Sequence, residues 1–258
     1  MELTGLLGYA GAVIIGITLG LIGGGGSILT VPILVYLLGI EPVLATAYSL
    51  FVVGFTSAFG VVQKYRVKEV DTKTALIFLL PSLLSIYLTR RYFIPIIPDP
   101  VWGMEKGTLL MVFFSLIMLV AGFAMVRKRT EGDGKKHGGM GLIIIEGLVV
   151  GFLTGIVGAG GGFLIIPALV LLGGLGMKLA VGTSLFIIAL KSAMGFMGDI
   201  VAGQMIDWSF LLLFTGLSVI GIFLGIYLSK LIDGQKLKRG FGFFVIVMAF
   251  FIAIKELM

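Results

Sequence analysis

Two glycine runs, Gly23-Gly24-Gly25-Gly26-Ser27 and Gly158-Ala159-Gly160-Gly161-Gly162, could bind an anion with backbone alone. Each lies between an apolar stretch and a shorter apolar stretch that carries a proline, Pro32 or Pro167. Glycine breaks a helix there, because it gives up the most backbone freedom on ordering and readily takes positive φ. A helix restarting after the break presents unpaired N–H groups and the positive end of its dipole. Non-helical backbone at membrane depth is tolerated where it lines a cavity or is buried in protein, and an anion is its natural occupant. The N–H groups of Gly24, Gly25, Gly26 and Ser27, and of Ala159, Gly160, Gly161 and Gly162, are therefore expected at a substrate site. Close helix packing by small residues is the alternative, and it suits one isolated run better than two matched ones.

Lys191 lies deep in the apolar stretch VGTSLFIIALKSAMGFMG. A charge near the bilayer centre costs at least about 2.5–3.5 kcal/mol on insertion scales, so it faces a cavity or a partner. It is expected to anchor an anionic substrate; structural pairing with Asp199 or Glu146 is the alternative. Tyr48-Ser49 and Thr183-Ser184 stand at the start of long apolar segments, and Ser57 and Ser192 follow the two serines at a spacing that keeps them on one helical face. Tyr48, Ser49, Thr183, Ser184 and Ser192 are candidates to contact substrate oxygens. Glu146 and Asp199, nearer the segment ends, are candidates for coupling to protons.

Other chemistry is poorly supplied. Cysteine is absent and the single histidine, His137, lies in a polar loop, which leaves no serine–histidine pair in the apolar segments and no thiolate metal site. Neither glycine run is followed by Gly-Lys-Ser/Thr, so no ATP-binding motif is present. No catalytic residue, metal or cofactor is expected. The net charge of +6 is concentrated in loops, as orientation signals are, and does not indicate nucleic acid.

The elements that must hold these residues follow from composition and repetition. Hydrophobic residues make up 59% of the chain and charged residues 12%, against roughly 25% charged in soluble domains. Continuous apolar runs indicate helices crossing a bilayer, not barrel strands. Residues 16–60 and 151–195 align without a gap at an offset of 135, with 19 of 45 positions identical, so the chain is a duplication. The pattern predicts an all-α membrane protein with five helical segments per half: 5–22, 27–38, 44–62, 73–90 and 106–127, then 141–157, 162–173, 179–198, 207–230 and 239–256. Segments 27–38 and 162–173 are short for a full span; each either crosses obliquely or re-enters.

Positive charge clusters in loops 64–73, 127–137 and 230–239, which are expected on the cytoplasmic side. Loop 199–207, the counterpart of 64–73, holds Asp199 and Asp207 and no lysine or arginine. Equivalent loops thus lie on opposite sides, which predicts inverted-topology repeats with both termini outside. The expected organisation is a first repeat at 1–127, a cytoplasmic linker at 128–140 and a second repeat at 141–258. The acidic N-terminus reads as mature sequence without a signal peptide.

GLIGGGGSILTVPIL with ATAYSLFVVGFTS, and GIVGAGGGFLIIPALV with AVGTSLFIIALKSAMGF, resemble the TauE/SafE sulfite exporter family, also called the toluene sulfonate uptake permease family. The resemblance spans both halves. It implies a multi-pass carrier of the prokaryotic inner membrane for sulfur-containing anions such as sulfite, thiosulfate or organosulfonates. The chain departs from the family in placing Lys191 where many relatives carry a neutral polar residue, and in ending its fourth segment with PSLLSIYLTRRYFIPIIPDP. An anion channel, and a membrane partner that delivers a sulfur species to a soluble enzyme, are the competing functions. The bilayer and a small sulfur anion are the expected partners, and the sequence is compatible with a homodimer.

Overall fold

The computed structural model describes residues 3–93, 96, 98, 106–127, 140–157, 162–201 and 205–257. Among them are ten helices and no strand. The first half contains α1 (Leu3–Ile22), α2 (Gly25–Pro32), α3 (Pro42–Arg66), α4 (Thr72–Leu88) and α5 (Lys106–Val126). The second contains α6 (Met140–Val157), α7 (Gly162–Pro167), α8 (Met177–Val201), α9 (Trp208–Leu231) and α10 (Gly234–Leu257). Five of them, α3, α4, α8, α9 and α10, are long and apolar enough to cross a membrane. The expected linker at 128–140 lies outside the described residues, apart from Met140.

Both short helices pass through their proline and continue for five residues as π-helix, Ile33–Leu37 and Ala168–Leu172. Proline has no N–H to return to the preceding turn, and the widened turn absorbs the lost bond. Each arm then ends alike. Gly39 and Gly174 take φ of +67° and +69°, and the next N–H reaches back into the helix, Ile40 to the Leu34 carbonyl at 3.0 Å and Leu175 to the Leu169 carbonyl at 2.9 Å. Glycine permits this left-handed cap at no steric penalty.

Each short segment folds back along the helix before it. Gly26 of α2 lies against Leu19 and the Ile15 carbonyl of α1, Gly11 of α1 against Ile33, and Gly8 against Leu38, so the two arms run antiparallel. In the second half Glu146, early in α6, sits beside Gly173 at the far end of the other arm. Each hairpin leans chiefly on a helix of the other half: α1 packs on α9, and α6 on α4. α3 crosses α8 and α5 crosses α10.

The hairpin contacts are backbone on backbone. A β-carbon at Gly16 would strike the Ser218 carbonyl, and one at Gly221 would strike the Val13 carbonyl. Gly151, the equivalent of Gly16, and Gly155 lie as tightly against Ser82 of α4 and against Thr89, the first residue of the π-turn Thr89–Phe93 that continues α4. Small residues let these helices approach where lipid offers no hydrophobic drive for association.

Local signals set the ends of the long helices. Asp71 and Asp207 cap α4 and α9 by accepting from the N–H of Thr74 and Phe210, and the Glu41 carboxylate caps α3 through Leu44 N–H. α10 begins at Gly234, five residues ahead of the expected 239. Its start is held by Asp233, whose carboxylate accepts from Gln235 N–H. Lys236, Lys238 and Arg239 therefore belong to the first turns of a helix and not to a loop.

Candidate functional site

The first glycine run folds as a helix break. Gly23 holds φ +75°, and its own N–H still reaches the Leu19 carbonyl at 2.7 Å. α2 restarts at Gly25, two residues ahead of the expected 27, so Gly25, Gly26 and Ser27 form its first turn. The Ser27 hydroxyl donates to the Gly24 carbonyl at 2.7 Å, closing the turn from outside the helix. Ala159, Gly160 and Gly161 lie outside the described residues.

The first break faces the start of α7. Gly24 is seated on the backbone of Gly162 and Phe163, and a β-carbon at Gly162 would stand 3.0 Å from the Ser27 hydroxyl and 2.9 Å from Ile188. Ile188 is the twelfth of the 25 residues of α8, so the meeting point is halfway along a full-length span. The starts of α2 and α7 thus converge at mid-span.

One turn beyond Ser27, Val31 forms part of the wall of a cavity of about 540 Å³. α3 contributes Thr46, Ser49 and Leu50; α4 and its π-turn contribute Leu83, Ile86, Tyr87 and Arg91; α6 contributes Thr154; α8 contributes Lys191, Met194, Gly195 and Asp199. Lys191 is 9% exposed and Arg91 stands at the exposed rim. Among the described lining residues are two cations, Lys191 and Arg91, and one carboxylate, Asp199. The apolar wall of Val31, Leu50, Leu83, Ile86 and Met194 leaves room for a carbon skeleton as well as a charged group.

Of the expected site residues, Ser49, Lys191 and Asp199 meet in this cavity. The other described ones are not among its lining residues. The Tyr48 hydroxyl accepts from Asp207 N–H at 2.8 Å and the Thr183 hydroxyl from Asp71 N–H at 3.0 Å, at the starts of α9 and α4. Ser184 lies behind Gly23 and donates to the Val181 carbonyl at 2.8 Å. Ser192 is buried where α3 crosses α8, against Gly54. Glu146 is buried at the end of the second hairpin arm, away from the cavity, and neither carboxyl oxygen has a hydrogen-bond partner among the described residues.

Thr46, Tyr87, Arg91 and Thr154 line the cavity without having been singled out from sequence. Thr154 precedes the second glycine run by one turn, which is the signal that could have found it. Arg91 is hidden in sequence because it lies near an expected span end, where a basic residue ordinarily reads as a rim charge.

A family model described as "Sulfite exporter TauE/SafE" matches residues 8–252. The chain belongs to the TauE/SafE family. It is similar over 252 residues, at 29% identity, to the "Probable membrane transporter protein" of Xylella fastidiosa strain 9a5c, an alignment covering 93% of this chain and 91% of that one. It is also similar to the YunE and YdhB membrane transporter proteins of Bacillus subtilis strain 168. YunE is 28% identical with 74% of this chain and 76% of its own covered, and YdhB is 26% identical with 87% and 90% covered. This TauE/SafE protein is a multi-pass membrane transporter and not an enzyme. Among the described residues no cluster of histidine, aspartate and glutamate could hold a metal ion.

Proposed function

We propose that this transporter is a secondary carrier that exports a small sulfur-containing anion, sulfite, thiosulfate or an organosulfonate, by alternating access. The observation that carries the proposal is Lys191, buried in the wall of the cavity where Ser49, Thr154 and Arg91 also stand. The convergence of two helix starts at Gly24 and Gly162 supports a role for backbone N–H groups near mid-span, those of Gly24 to Ser27 and Gly162; those of Ala159, Gly160 and Gly161 are assigned to the same anion from the sequence repeat alone. Ser184 and Ser192 serve this site from behind, by fixing the break and the α3–α8 crossing.

The halves, 1–127 and 141–258 around the linker at 128–140, form inverted-topology repeats with both termini outside. Reciprocal packing supports this arrangement: whatever α1 does with α9, α6 does with α4. Each half then contributes one re-entrant hairpin and three full crossings, an odd number. Glu146 and Asp199 couple transport to protons. The family's description as sulfite exporters supports the direction.

Counterflow tests the proposal. Proteoliposomes loaded with unlabelled sulfite, thiosulfate or sulfoacetate should take up the same labelled anion saturably, and Lys191→Met should abolish that uptake. Uptake of none of the three would end the assignment, and sustained conductance without saturation would replace the carrier with a channel.

A further inference from the structure

The cavity has a counterpart that is packed shut. α3 and α8 are each 25 residues long and align in register at the repeat offset of 135, while α4 and α9 align cap to cap, Asp71 with Asp207, at an offset of 136. Carrying the cavity lining across the duplication, Lys191 becomes Thr56, Gly195 becomes Gly60, Asp199 becomes Lys64, Ser49 becomes Ser184, Ile86 becomes Ile222 and Tyr87 becomes Phe223.

Of these, Gly60 and Ile222 pack together toward the C-terminal end of α3, with Thr56 and Lys64 one turn to either side of Gly60 on the same helix; they form the centre of a buried cluster. A β-carbon at Gly60 would lie 2.6 Å from Ile222, and Phe59 meets Phe223 edge-on at 6.4 Å between ring centroids. Thr56 and Ser184 are wholly buried. The Thr56 hydroxyl, in the position equivalent to Lys191, has no hydrogen-bond partner among the described residues. A buried hydroxyl without a partner is costly.

Lys64 closes the cluster. It is 2% exposed, 2.6 Å from the Glu69 carboxylate and 3.4 Å from the Ser229 hydroxyl of α9. The loop bearing Glu69 is itself seated on Gly182 of α8, and turns there through Lys68 at φ +58°. An ammonium withdrawn from water needs such a partner, and losing that partner leaves a buried charge that drives the site open.

We propose that this cluster is the collapsed second vestibule of the carrier, opening on the face opposite the cavity, with the Lys64–Glu69 pair as its lock and Lys64 as the cation that receives the anion when it opens. The proposal rests on the carrier function above and deepens it: one anion is passed between two repeat-related sites, the cavity that holds Lys191 and the cluster that holds Lys64, although the two lysines occupy different positions of the repeat. Opening the second vestibule closes the first.

The absence of native cysteine makes accessibility a clean test. Ser49→Cys and Ser184→Cys are prepared separately, with and without Glu69→Ala, and a membrane-impermeant maleimide is applied to each face. Glu69→Ala should make the thiol of Ser184→Cys react roughly tenfold faster from the Lys64 face, while the thiol of Ser49→Cys reacts roughly tenfold more slowly from the other. Lys64→Gln breaks the same pair and should give the same reciprocal change. Faster reaction at position 184 with position 49 unchanged would mean local loosening, and no change at either would mean a purely structural ion pair; both overturn the proposal.

Thiosulfate should protect the thiol at position 184 in the Glu69→Ala background and fail to protect it in the Lys64→Gln background; equal protection in both would remove Lys64 as the receiving cation. The accessibility change needs no substrate. It is therefore read separately from the carrier assignment, which anion counterflow and conductance of the wild type test.

Discussion

The Tyr48 hydroxyl accepts a 2.8 Å hydrogen bond from the backbone N–H of Asp207, the residue that caps α9. Its repeat partner Thr183 accepts a 3.0 Å bond from the N–H of Asp71, which caps α4. The third helix of each half thus holds the start of the other half's fourth. Tyr48→Phe and Thr183→Val should each lower stability by about 1–3 kcal/mol, the penalty of an orphaned donor. Thermal unfolding in detergent measures this. Unchanged stability with weakened anion binding would instead return both hydroxyls to the substrate.

Lys191 and Arg91 should separate in kinetics. Lys191→Met should eliminate transport, because the buried cation supports the bound anion. Arg91→Gln, at the rim, should raise KM several-fold at low ionic strength with the maximal rate retained, and the difference should shrink above about 0.1 M salt, where the screening length is near 10 Å. Salt-independent loss of rate in Arg91→Gln would make it part of the binding site proper.

Gly16→Leu should prevent recovery of monodisperse protein, since the side chain would enter the Ser218 carbonyl. Gly216→Leu, on α9 but with nothing within 4 Å, should be tolerated. Size-exclusion profiles of the two variants give the comparison. Equal recovery would mean that α1 and α9 are not held by backbone contact.

Glu146 should tolerate neutralisation. Glu146→Gln removes a carboxyl whose oxygens have no partner among the described residues, so the folded protein should be at least as stable as the wild type. Anion exchange should continue while its response to an imposed proton gradient disappears. A retained gradient response would pass the coupling role to Asp199.

Single cysteines introduced by Lys68→Cys and Met205→Cys report topology. Met205 is 90% exposed and lies in the loop equivalent to the one carrying Lys68. An impermeant thiol reagent should reach them from opposite faces. Labelling from one face would dismiss the inverted repeat.

Much of the fold was legible because the duplication and apolar runs are local in sequence. Helix ends differ from expectation by a few residues, and each difference has a visible cause, such as Asp233 starting α10 early. The fold-back of α2 along α1 was not legible, since twelve apolar residues suit several courses until Gly26 is seen against Leu19. The site was legible where burial conflicts with chemistry, as at Lys191. It was not legible where a hydroxyl serves either a ligand or a neighbouring helix: Tyr48 and Ser49 are adjacent in sequence, yet one caps a distant helix and the other lines the cavity. Arg91 escaped notice because only the approach of α4 to α6 and α8 reveals what it overlooks.

The seating of α1 on α9 bears on biosynthesis. The first hairpin leaves the ribosome about 190 residues before the surface it fits has been made, and its glycine face, bare of side chains, has no partner among its early neighbours. The hairpin must wait in the membrane as an unfinished element until α9 is inserted. Expressed alone, the first half should therefore be degraded, and co-expression of residues 141–258 should rescue it.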